Sequence, residues 1–214
     1  MRGGWLFLGL LGCAHVVPAT SLDPAADPAL RVRLPASLVD IGEPLSASDP
    51  DYARAGLTDA VKADGLGGVS SGYAVRLDED MTVYRLWNGP ELLDARGNTN
   101  RLGQWWTADP PRGSVDAYRE RYEVCVGWNQ LRYVATCTLK AGSVVVIGPG
   151  QSVSSETCGA QEEAYPAQPR RWQVYVHKAW TRLGTELDCP PDTADYPANP
   201  LNLARPVRGY APAE

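Results

Sequence analysis

The sequence predicts an α+β domain in which a few short helices lie against a mainly antiparallel sheet. Two observations carry this. Proline (18) and glycine (21) are abundant in 214 residues, which shortens helices and multiplies turns. Short apolar or alternating runs bounded by turn residues recur at 73–77, 81–87, 104–107, 131–139, 143–147 and 172–176, and each reads as a strand.

Length and composition suit one medium domain with appendages: 44% of residues are apolar and 21% charged. Tryptophan (7) and tyrosine (10) supply the aromatic volume in place of phenylalanine (1), so many rings carry a polar handle. A net charge of −5 and a pI near 5.1 exclude the basic footprint of a nucleic-acid partner.

The chain opens with Arg2 and the apolar run 5–11, ending in small residues and Cys13, the pattern of a secretory signal. The run is shorter than the roughly 20 apolar residues of a membrane span. Leu10-Leu11-Gly12-Cys13 resembles the lipobox of bacterial lipoproteins. The resemblance implies that residues 1–12 are removed and that Cys13 carries the lipid. Ala14 in place of aspartate then implies outer-membrane sorting, so the chain is expected in the cell envelope, periplasmic or at the surface. An ordinary signal peptide with an incidental cysteine is the alternative.

Residues 13–49 are rich in proline, alanine, serine and aspartate and read as a tether, with an edge strand at 30–34. Asp49-Pro50-Asp51 is a helix start, and Ala53, Leu57, Ala60 and Val61 share one face before Gly65 stops the helix. With the glycine-rich connector up to 69, this forms an amphipathic element on a domain spanning 70–190. The connector lacks a Gly-Lys-Ser/Thr ending and is no phosphate loop. Asp78-Glu79-Asp80 separates two strands, and Gly89-Pro90 and Arg96-Gly97-Asn98 mark turns in the loop that follows. Ser114 caps a helix running to about Glu123. Its Arg119, Glu120, Arg121 and Glu123 read as a solvated charged face. Residues 191–214 form a proline-rich tail.

Five cysteines less Cys13 leave an even set, Cys125, Cys137, Cys158 and Cys189, for which export implies disulfides. Three connectivities exist. Cys125–Cys137 with Cys158–Cys189 is favoured, because the first pair flanks one turn. A metal centre is not expected, since no C-x-x-C pair occurs and histidine numbers two.

Histidine-based catalysis has little material: His15 lies beside the anchor, leaving His177, and no Gly-x-Ser-x-Gly elbow surrounds Ser152, Ser154 or Ser155. Carboxylates are plentiful but carry no glycosidase signature. The stretch 82–111 is more specific. It sets Arg85 on one strand against Trp105-Trp106-Thr107 on the next, an arginine beside aromatic walls that suits an anion.

With Tyr84-Arg85 ending a strand, Trp106-Thr107 after it, and Gln173 heading the apolar run 174–176, the chain resembles the ADP-ribosyltransferase superfamily, especially its small bacterial toxin-type members. The resemblance covers roughly residues 80–178 and implies a split sheet that binds NAD. By it, Arg85 holds the diphosphate or nicotinamide ribose, Tyr84 accompanies it, and Trp106 and Thr107 lie along the nicotinamide. Gln173 then takes the place of the catalytic glutamate. Glutamine supplies no negative charge, which favours NAD hydrolysis over transfer to a protein. The other expected role is non-enzymatic: an envelope lipoprotein meeting a protein or glycan partner through an aromatic surface.

Overall fold

The computed structural model describes residues 34–161 and 163–208. Cys13, the signal at 1–12 and all of the expected strand at 30–34 except Leu34 lie outside them. The fold is α+β with antiparallel sheets, as the sequence predicts. Strands run β1 (Gly42–Pro44), β2 (Tyr73–Leu77), β3 (Met81–Trp87), β4 (Trp105–Trp106), β5 (Tyr133–Leu139), β6 (Val144–Gly150), β7 (Gln168–Tyr175), β8 (Leu187–Asp188) and β9 (Tyr196–Pro197). The helices are short: α1 (Tyr52–Ala55), α2 (Leu57–Ala60), α3 (Val115–Tyr122) and α4 (Ser155–Cys158).

Two sheets form. One has the order β1-β2-β6-β7-β4; in the other β3 and β8 flank β5, and β9 also pairs with β5. The turns at 78–80 and 140–142, both tight, carry the chain from one sheet to the other rather than closing hairpins. A backbone bridge joins the sheets where β3 meets the end of β4: Tyr84 and Thr107 exchange N–H···O bonds of 2.8 and 2.9 Å.

The main core lies between the sheets, where Val75, Val83, Trp106, Leu139, Ile147 and Val174 pack together. On β6, Val145 and Ile147 face this core while Val144 and Val146 face Ala55, Leu57 and Ala60 of α1 and α2. Alternation thus buries both faces, which explains the unbroken apolar run. Each such side chain contributes about 1.5–3 kcal/mol. A third cluster joins Tyr118 and Tyr122 of α3 to Leu86, Leu131, Val134 and Leu203.

Several expectations are corrected. The single helix expected at 49–65 is two one-turn helices, because Gly56 adopts a left-handed φ of +73° between them. A side chain there is also barred by space: a Cβ would lie 2.6 Å from the His177 ring. The packed body is wider than 70–190. In the expected tether, Leu38 is buried and β1 covers the edge of β2 that would otherwise present unpaired amides. In the expected tail, β9 pairs with β5 and Leu203 is buried. The disulfides are Cys125–Cys158 and Cys137–Cys189, with Cα–Cα distances of 5.3 and 4.4 Å, not the favoured pairing. The cause is topological: β8 pairs with β5, Thr138 opposite Asp188, which brings Cys189 beside Cys137. Both bonds call for folding in an oxidising compartment. No helix among the described residues is long and apolar enough to cross a membrane.

Candidate functional site

A cavity of about 150 Å³ opens where the two sheets part at the Tyr84–Thr107 bridge. Arg85, Trp106, Thr107 and Gln173, drawn from three strands and the end of one, all line it. Helix α3 and the segment after it close the other side with Tyr118, Tyr122 and Glu123. Trp128, 45% exposed, stands among the lining residues nearest solvent.

Arg85 is half-buried and held from behind. Its Nε donates to the Asn100 carbonyl at 3.1 Å and its Nη1 to the Trp105 carbonyl at 2.7 Å. Gly103 makes room for it: a Cβ there would stand 2.1 Å from Nη2. The loop supplying these contacts is itself fixed by the buried pair Arg101–Asp195, with Nε–Oδ2 at 2.6 Å. No carboxylate among the described residues pairs with Arg85, and burial pulls its pKa down to about 10. A partly desolvated cation without an anionic neighbour is costly to hold, and an anionic ligand would offset that cost.

The remaining expected residues differ in what they offer. The Trp106 ring is buried as a cavity wall, with Nε1 donating to the Gly103 carbonyl at 2.8 Å. The Thr107 hydroxyl donates to the Asp109 carbonyl at 2.9 Å and interacts with the Tyr118 phenol, so it is a strut for that ring. Tyr84 contributes its backbone to the bridge, but its side chain does not line the cavity, because strand alternation sends it away from Arg85. Gln173 is buried and donates from Nε2 to Glu123 Oε2 at 3.1 Å.

Glu123 is the residue that sequence reasoning misplaced. Neither it nor Arg119 lies on a solvated face: they are 2% and 6% exposed. Glu123 ends α3 at a left-handed φ of +50°, a position where glycine is the usual residue. That turn swings its carboxyl inward, against Gly150, where a Cβ would stand 2.4 Å from Oε2. Burial pushes its pKa up to about 9; the nearby Gln168 amide and the Gln173 side chain oppose this in part. Glu123 is therefore a neutral acid at pH 7. The signal for it in sequence is weak: a non-glycine residue at the helix end and a glycine at 150.

His177 and the serines form no triad. The His177 ring lies 3.4 Å from Asp59 and 3.3 Å from the Tyr175 hydroxyl, while Ser154 caps α4 and Ser152 bonds to the Gly65 amide. The Cys125, Cys158 and Glu163 cluster is no metal centre, since both sulfurs are in a disulfide. Comparison with protein-family models, curated proteins and solved structures finds no match.

Proposed function

We propose that this cavity binds NAD and that the protein hydrolyses its nicotinamide–ribose bond while held to the cell envelope through a lipid on Cys13. The observation that supports this most is the convergence of Arg85, Trp106, Thr107 and Gln173 on one cavity at the split between the sheets. About 150 Å³ admits one six-membered ring, so the nicotinamide enters and the rest of the dinucleotide stays at the mouth. The unneutralised Arg85 suits the diphosphate. As the bond from ribose C1′ to the ring nitrogen breaks, the electron pair leaves with nicotinamide and positive charge develops on the ribose. Water adds to C1′ and loses a proton to solvent, giving ADP-ribose. Gln173 orients the ribose or the water; with Glu123 neutral, no carboxylate in the cavity is charged to activate a protein acceptor.

Incubating the oxidised protein with NAD and measuring nicotinamide tests the reading. Release is expected, with a loss of at least about 100-fold in Arg85→Ala, the scale of removing one preorganised charge-stabilising group. Neither release nor NAD binding by the folded protein would overturn it.

A second reading has its own observation. Trp180, 54% exposed, lies with Trp105, Tyr175 and Lys178 along a separate groove of about 380 Å³. Such a face suits a sugar ring or a protein partner. Oligosaccharide binding that disappears in Trp180→Ala would support it; binding unaffected by that change would exclude this groove.

A further inference from the structure

One buried polar atom of a cavity-lining residue has no hydrogen-bond partner among the described residues. Glu123 Oε2 accepts from Gln173 Nε2 at 3.1 Å, whereas Oε1 is buried and meets no donor or acceptor at bonding geometry. A protonated carboxyl carries one O–H, and with Oε2 accepting from Gln173 the proton is assigned to the unpartnered Oε1. A buried donor left unmatched costs about 1–3 kcal/mol. The backbone here is also bent into φ +50°, and Gly150 is cleared of any side chain to admit the carboxyl. The Gln168 amide lies near the carboxyl as well, while Asn129, also in the lining, spends its amide on the Leu86 carbonyl and the Leu131 N–H.

We infer that Glu123 is a recognition residue whose protonated carboxyl donates a hydrogen bond to the carbonyl oxygen of an uncharged aromatic amide or ketone seated in the cavity. The walls carry the aromatic part of the claim: Trp106, Tyr118 and Tyr122 bound a space the size of one ring. On the reading proposed above, the amide is the carboxamide of nicotinamide, but the recognition stands on the cavity itself. The titratable groups that share the cavity lining with Glu123 are Tyr118 and Tyr122 on α3 and Arg85 on β3. Burial pushes the Tyr122 phenol up to about 12 and Tyr118 higher still, so of these only Arg85, at about 10, titrates near Glu123.

Benzamide binding, followed by calorimetry on the oxidised full chain, tests the inference without requiring any reaction. Benzamide and acetophenone should bind at pH 7 at least about tenfold more tightly than toluene, the scale of one buried hydrogen bond. Wild-type affinity for benzamide should fall as pH rises through about 9. Glu123→Gln keeps an N–H donor that does not titrate, so its binding should persist and lose this alkaline fall; Glu123→Leu should bind at least about tenfold more weakly. Equal binding of toluene and benzamide, no benzamide binding, or an alkaline fall unchanged in Glu123→Gln (which would belong to Arg85) overturns the inference. A protein that binds benzamide as described yet leaves NAD intact keeps this site and loses the reaction. One that cleaves NAD indifferently to Glu123 does the reverse.

Discussion

Glu123 shows how one side chain can work against the fold that holds it. In the unfolded chain its carboxyl ionises near 4.5; in the folded protein burial raises this to about 9. Between these values the native state keeps a proton that the unfolded chain has lost. The associated stability is therefore fully present below pH 4.5 and is lost as pH rises toward 9. The slope is at most about 1.4 kcal/mol per pH unit. Urea unfolding of wild type and Glu123→Gln at several pH values between 5 and 9 should show the variant gaining on the wild type as pH rises. A difference independent of pH would mean that the carboxyl titrates normally and is open to water.

At the scale of the elements, strands were legible where periodicity was two and turns were marked. The bounds of β2 and β3 match the sequence reading, and Ser114 caps α3, accepting from the Ala117 amide at 3.1 Å. What periodicity could not show was partnership. The Lys140–Gly142 turn looks like a hairpin, yet β5 and β6 part into different sheets, and the short β8 and β9 gain their identity only by pairing with β5. The helix expected at 49–65 failed for a local reason, since one glycine with φ +73° outweighs a shared apolar face. The charged look of α3 misled in the same way. Composition records that Arg119 and Glu123 are ionisable but not that their positions face Val124 and Gln173. Order and spacing single out Arg85, Trp106, Thr107 and Gln173, which line one cavity. Glu123 is not singled out in this way, because its burial in the same lining depends on a backbone angle at a helix end.

Over the described residues the molecule is a two-sheet body with two covalent cross-links. Cys137–Cys189 ties the middle of β5 to the segment after β8, across 52 residues. Cys125–Cys158 spans 33 residues and ties the strand of chain just after Glu123 to the end of α4. By loop-closure entropy each is worth about 4 kcal/mol. That is a large share of the roughly 5–15 kcal/mol a domain usually has. Reduction should therefore lower the urea midpoint sharply, and Cys125→Ser/Cys158→Ser should also weaken benzamide binding, because that bond lies next to the cavity. An unchanged midpoint after complete reduction would show that the packed core alone suffices.

The cavity is shaped as much by two missing side chains as by those present. Gly103 leaves the space that the Arg85 guanidinium fills, and Gly150 the space that the Glu123 carboxyl fills. Each glycine is therefore one half of a pair written in two distant parts of the gene. A descendant that lost Arg85 would free position 103 to take up a larger residue, and one that lost Glu123 would free position 150. Among divergent copies of this chain, 85 should change with 103 and 123 with 150. The two pairs should drift independently, leaving a record of which half of the cavity each lineage has kept.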